Sequence, residues 1–228
     1  MELCFVIPAL DASETVGQVI DGLHREAQKL THHARVWVID DGSRDSTAEA
    51  AERAGAVVLR HPQNLGKGAA LRRGLRCARE HGATAVVSVD ADGQHPPAEA
   101  VALALHPAPD AALVLGVRSL SRDGAPRKNQ LSNGISNQFL SWFSGRALRD
   151  TQCGLRRYPV AGTLALGARD AGYAFEAEVL LRAARAGWEL VEVPVHVVYP
   201  PPTSHFHVVR DPARIVLRVL STLWDTRR

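Results

Sequence analysis

Short β-branched runs alternate with amphipathic stretches along most of the chain, the pattern of β-α units wrapped around a mostly parallel sheet. Leu3 to Ile7 opens the series as a strand-like run. Behind Ser13, a residue with N-cap chemistry, the apolar positions Val16, Val19, Ile20, Leu23, Ala27 and Leu30 recur at helical spacing and predict one buried stripe. Val36 to Ile39 reads as a second strand ending in Asp40 and Asp41. Ser46 with Glu49 makes a capping box for the next helix, and Gly55 is placed to close it. Ala56 to Leu59 is a third strand, followed by a helix from Gly68 to His81. Ala85 to Val89 is a continuous apolar run, expected of a central strand buried on both faces, and it ends at Asp90. Ala111 to Val117 repeats the strand pattern. The second half is less regular: a polar helix over Gln130 to Ser144, a loop at Asp150 to Gly154, a helix from Phe175 to Ala186, and a last strand within Leu190 to Val198.

A chain of 228 residues with 46% apolar content can bury one good core but hardly two. No repeat, low-complexity segment or linker argues for a second domain. A single domain over residues 1–210 is therefore expected, with a C-terminal amphipathic helix over 211–228 after the proline cluster Pro200 to Pro202. The three cysteines, at positions 4, 77 and 153, have none of the spacings that zinc or a disulfide framework needs, and they fit a reducing, cytoplasmic setting. The first residues, MELCFVIPAL, lack a basic leader and a cleavage site, and no stretch approaches the roughly 20 apolar residues of a membrane span. A net charge of +3 is mildly basic, and the arginines are dispersed, so nucleic acid is not an expected partner.

In an open α/β sheet, ligands bind outside the carboxyl ends of the strands, and the acidic residues fall at such ends. The second strand delivers Asp40-Asp41-Gly42-Ser43, and the buried strand delivers Asp90-Ala91-Asp92 followed by Gln94. Two carboxylates one residue apart can share a hard divalent cation whose remaining ligands include phosphate oxygens. An isolated Asp-x-Asp is commonplace in loops. Here it closes an apolar strand, where carboxylates carry a desolvation cost that a metal offsets.

Taken together, Val6-Ile7-Pro8 with Glu14, Asp40 to Thr47, Asn64-Leu65-Gly66-Lys67-Gly68, Asp90 to Pro97, Asp150 to Arg156, Phe175-Glu176-Ala177-Glu178 and Glu192 to Val195 resemble the family-2 glycosyltransferases of the GT-A fold. Within that family the branch that transfers mannose or glucose to polyprenol or dolichol phosphate is the most similar. The resemblance implies a nucleotide-binding, mostly parallel sheet flanked by helices. It implies that Pro8, Leu10, Glu14, Asp41, Lys67, Asp90, Ala91 and Asp92 bind the nucleotide sugar, with Asp41 on the base or ribose and Lys67 near the phosphates. Asp90, Asp92 and Gln94 would hold Mg²⁺ or Mn²⁺, and Asp92 counts as catalytic. Arg118 and Arg127 would meet the acceptor phosphate, and inversion at the anomeric carbon is carried over with the family. Asp150 is the candidate base if the acceptor is a hydroxyl; an ionised phosphate acceptor needs none.

Two departures bear on the substrate. Asp11 stands where relatives often have Asn. The segment Pro201 to His207 lacks the Arg and Lys that many relatives carry there, leaving His205, His207 or Arg210 as replacements. From Asp211 onward, Val216, Val219, Leu220, Leu223 and Trp224 form one stripe, and Arg210, Arg214 and Arg218 recur on another face. Such a helix either packs on its own domain or lies at an anionic membrane surface. A nucleotidyltransferase would show a Gly-rich, Arg-containing loop after the first strand and a dehydrogenase Gly-x-Gly-x-x-Gly; the chain has Pro8-Ala9-Leu10-Asp11. A catalytically inactive transferase-like binding module is the remaining alternative.

Overall fold

The computed structural model describes residues 2–119 and 127–198, with the side chains of 127–129, 131 and 132 excepted. The elements in chain order are β1 (Glu2–Ala9), α1 (Val16–Lys29), β2 (His33–Asp40), α2 (Thr47–Arg53), β3 (Val57–Arg60), α3 (Lys67–Glu80), β4 (Ala85–Ser88) and α4 (Pro97–Ala104). They continue with β5 (Leu113–Arg118), α5 (Arg127–Ser144), β6 (Arg156–Pro159), α6 (Val160–Ala165), α7 (Ala174–Arg185) and β7 (Leu190–Val195). One seven-stranded sheet runs β3-β2-β1-β4-β6-β5-β7. β6 pairs antiparallel with both β4 and β5, and the remaining pairings are parallel.

Alternation along β1 explains the layering, because successive side chains leave a strand on opposite faces. Phe5 and Ile7 join Val36, Val38 and the buried stripe of α1 with α4 on one side; Val6 joins Trp37, Ile39, α3 and α7 on the other. Both faces of the central strands are thus covered by helices, as the unbroken apolar runs required. Gly74 lets α3 settle onto β1, since a side chain there would strike Val6.

Several local expectations are revised. α1 starts after Thr15 rather than Ser13, whose amide donates to Asp45 (3.1 Å), and Leu30 lies beyond the helix as an exposed C-cap residue. Ser46 is the N-cap of α2 but makes no side-chain cap; Asp45 instead accepts from the amide and hydroxyl of Thr47. α4, β6 and α6 have no counterpart in the periodicity reading. β6 reads Arg-Arg-Tyr-Pro, yet all four residues are buried. Burial of two arginines is tolerated because backbone carbonyls accept hydrogen bonds from their guanidiniums: Arg156 donates to Thr151, Cys153 and Glu176 (2.7–2.9 Å), and Arg157 to His106 and Ala108. The expected helix after Pro200, with His205 and Arg210, lies outside the described residues.

Candidate functional site

β1 lies between β2 and β4 in the sheet order, although β4 follows β3 in the chain. The strand order therefore reverses between β1 and β4, the place where open α/β sheets form a crevice beyond their carboxyl ends. The loops after β1, β2, β3 and β4 meet there, stitched by side chains. Ser43 and Thr47 accept from the amides of Asp11 (3.0 Å) and Ala12 (2.8 Å), and Thr15 donates to the carbonyl of Ala91 (2.6 Å). Asp11 has a φ of 48°, a conformation that Asp and Asn tolerate best among non-glycine residues, and its Oδ1 accepts from the Arg44 amide. An Asn oxygen would do the same, so the Asp/Asn exchange leaves the loop unchanged.

Of the residues assigned to the nucleotide, Pro8 is half-buried at the end of β1, and Leu10 and Glu14 are exposed in the loop that follows. Asp41 is buried and largely committed to the protein. It contacts His61 Nδ1 at 2.6 Å and accepts from the amides of Leu65 (2.9 Å) and Gly66 (2.7 Å). Three partners on four lone-pair positions leave one acceptor, on Oδ2, for a ligand. The greater part of the Asp41 carboxylate therefore shapes the loop that launches α3.

That loop places Lys67 at the first turn of α3. Gly66, at a φ of 99°, and Gly68 abut the loop before α7: a side chain at either would collide with the backbone of Asp170 or Ala171. Lys67 Nζ lies 2.7 Å from Asp90 Oδ1 and 3.3 Å from Glu176 Oε2. Burial alone would lower its pKa, but Asp90 and Glu176 together raise it, so the ammonium is permanently charged. Asp90 is the mirror case: burial works to raise its carboxyl, and Lys67 and His95 overcome this and hold it below the usual range.

Asp92 is exposed at the mouth of the crevice, with Oδ1 accepting the Gln94 amide at 3.0 Å. Burial by the surrounding walls and repulsion from Asp90 push its carboxyl up to about 6. His95, 4% exposed, is lowered to about 4 by burial, and its Nδ1 has no partner among the described residues. Gly154 presses against Asp90, whose carboxylate fills the space a side chain would need.

On the far side of the crevice, Asp150 is buried and engaged on both oxygens. Arg118 donates to it from its amide, from Nε at 2.7 Å and from Nη2 at 3.0 Å, and the Gln152 amide adds a further bond. Burial would raise the Asp150 carboxyl, but these donors hold it below the ordinary range. In this geometry Asp150 is the partner of Arg118 and a poor proton acceptor. Arg127 begins α5, and its side chain is not described. Sequence reading gave no role to Glu176, His95 or Arg156. Glu176 was visible in a matched motif, but nothing local ties it to Lys67.

The model of the family described as "Glycosyl transferase family 2" matches residues 4–170. The chain belongs to this family. It is 31% identical over 215 residues to an undecaprenyl-phosphate mannosyltransferase of Micrococcus luteus, covering 87% of this chain and 84% of the relative. It is 27% identical over 218 residues to a UDP-N-acetylglucosamine–dolichyl-phosphate N-acetylglucosaminyltransferase of Methanococcus voltae, covering 85% and 84%. Glucosyl-3-phosphoglycerate synthase of Mycobacterium tuberculosis, solved with Mn²⁺, UDP and phosphoglyceric acid, superposes with a TM-score of 0.69 at 20% identity, over 98% of this chain and 78% of that one. The sheet and its flanking helices are thus the GT-A fold, and the family-2 transferases of polyprenol and dolichol phosphates are relatives of this enzyme.

Proposed function

We propose that this glycosyltransferase moves a sugar from a nucleoside diphosphate sugar to a polyprenyl phosphate, with inversion and with help from Mg²⁺ or Mn²⁺. The observation that carries the reading is the cluster of Asp90, Asp92 and Lys67 at the end of β4. The donor set fits a hard divalent ion. Burial and, after it, repulsion from Asp90 push Asp92 up to about 6, and a bound cation would relieve that repulsion. Among the described residues no trio of His, Cys, Asp or Glu forms a closed cage. Mg²⁺ and Mn²⁺ suit such a site, since they are commonly held by one or two carboxylates plus substrate phosphates, and the side-chain oxygen of Gln94 would be a further ligand. When bound, the ion supplies positive charge against the leaving diphosphate.

The chain's own residues do the rest. Lys67, held by Asp90 and Glu176, points a fixed positive charge at the departing nucleoside diphosphate, where charge develops as the anomeric bond breaks. Pro8, Leu10 and Glu14 border the nucleoside, and the free acceptor position on Asp41 is available to its base or ribose. Arg118, oriented by Asp150, meets the acceptor phosphate. Engagement of Asp150 by Arg118 favours an acceptor that arrives ionised over a hydroxyl that needs a base. A lipid tail is further supported by α5, where Ile135 and Trp142 are 56% and 77% exposed on one stripe with Phe139 between them. Among the described residues no helix is long and apolar enough to cross a membrane, and the exposed α5 stripe offers a peripheral contact with the bilayer.

A thermal-shift screen of GDP, UDP and their sugars with Mn²⁺ tests the donor site, because a ligand bound only by the native state raises its stability. Release of nucleoside diphosphate upon addition of a polyprenyl phosphate then tests the acceptor. A protein that ignores every nucleotide sugar with either metal overturns the reading.

A further inference from the structure

Away from the crevice, positive charge gathers along α3. Arg72, Arg76 and Arg79 recur at i, i+4 and i+7, so they share one face of the helix. With Arg169, from the loop before α7, they line a groove of about 580 Å³ beside α6. Arg60, Arg118, Arg149 and Arg182 each have a carboxylate partner. Among the described residues Arg76, Arg79 and Arg169 have none, and all three are exposed. The acids nearest Arg72 are Asp170 and Glu178. Glu178 is committed to Arg182 and to the amides of Arg169 and Asp170, and Asp170 accepts from the Gly172 amide.

A second observation comes from the opposite wall. Thr163 lines the same groove and is 2% exposed, yet its hydroxyl has no hydrogen-bond partner among the described residues. Buried hydroxyls are ordinarily satisfied, so an orphan in a groove lined with guanidiniums marks a place where a ligand oxygen completes the set. Arg72 is already oriented, donating to the Asp170 carbonyl at 3.2 Å and lying 6.0 Å above the Phe175 ring.

We propose that this groove is a binding site for a phosphate-bearing anion, gripped by Arg76, Arg79 and Arg169 and hydrogen-bonded by Thr163. Phosphate suits the geometry because guanidinium forks bind its oxygens in pairs, and donors arriving from two elements match a tetrahedral group better than a planar carboxylate. The site is separate from the donor crevice: the 170–172 loop stands between them, packed on Gly66 and Gly68 on one side and bound by Arg72 on the other. It does not rest on the transferase reading.

The test is calorimetric titration of the full chain with inorganic pyrophosphate in the presence of EDTA, where the acidic crevice has no cation with which to attract the probe. A parallel arm measures sedimentation with phosphatidylcholine vesicles with and without phosphatidylglycerol. Binding is expected to weaken about tenfold or more in Arg76→Ala/Arg79→Ala. It should also weaken in Thr163→Val, which keeps the side-chain shape, with the melting temperature of each variant near that of the wild type. Dependence of this kind with pyrophosphate identifies a free phosphate compound as the source; the same dependence seen only with phosphatidylglycerol identifies a lipid headgroup. The proposal is overturned if neither probe binds, if the arginine variant binds like the wild type, or if Thr163→Val is indifferent, which would reduce the effect to diffuse charge. Loss of pyrophosphate binding in Lys67→Ala would place the probe in the crevice and also overturn it.

Discussion

Asp90 and Asp92 are one residue apart but live in different environments. Asp90 is ion-paired with Lys67 and held ionised, whereas Asp92 faces that carboxylate from the crevice mouth. Replacing Asp90 or Asp92 by Asn should lower nucleoside diphosphate release by about a hundredfold or more, by removing charge that in the proposed mechanism anchors the ion and the leaving group. The pH dependence follows from the raised carboxyl. A carboxylate whose folded pKa stands near 6 favours the metal-free fold at low pH, and that contribution is lost as pH rises through 6. An ion binds the ionised form, so the Mn²⁺-induced rise in melting temperature should be larger at pH 7 than at pH 5.5, and this difference should vanish in Asp92→Asn. His95 stays neutral in the fold over that interval because burial lowers it to about 4, so it does not obscure the comparison.

Elements position these groups through close approaches that leave no room for side chains. Gly154, in the loop before β6, is such a contact: in Gly154→Ala the new methyl would displace the Asp90 carboxylate at the end of β4. Metal affinity measured by titration should fall by more than the melting temperature suggests, because the change lands on the proposed ligand and not on the core. The turn ahead of α3 depends on Asp41 instead. Asp41→Ala leaves the amides of Leu65 and Gly66 without their acceptor, and denaturant unfolding should show a loss of about 2 to 4 kcal/mol; Asp41→Asn, which retains one oxygen, should lose less. The Gly-Lys-Gly run was readable as a motif, but its glycines were not readable as contacts. Their neighbours, Asp170 and Ala171, lie about a hundred residues further along the chain.

For the whole molecule, the proposed polyprenyl phosphate acceptor requires the domain to meet a bilayer. The exposed stripe of α5 gives a measurable expectation. Ile135→Ser/Trp142→Ser should raise the KM for polyprenyl phosphate in vesicles by about tenfold, through loss of apolar contact with the bilayer. It should leave the KM for the nucleotide sugar unchanged, since Ile135 and Trp142 lie in a groove lined by α5 residues, without Lys67 or Asp90. A loss of both in parallel would assign the stripe to folding.

Local pattern was enough to place β1 to β5, β7 and their main helices, because period-two and period-3.6 spacing are properties of neighbouring residues and persist whatever the chain later packs against. It also marked Asp90, Asp92 and Lys67, whose chemistry survives in short motifs. It was silent on β6, since Arg156 and Arg157 look like surface residues until the carbonyls that bury them are assembled around them. It could not pair Lys67 with Glu176 or Asp150 with Arg118, and it nominated as a base a carboxylate whose lone pairs are occupied. Those partnerships arise from sheet order and register, which bring together residues distant in the chain, and burial then decides which of their charges remain available for chemistry.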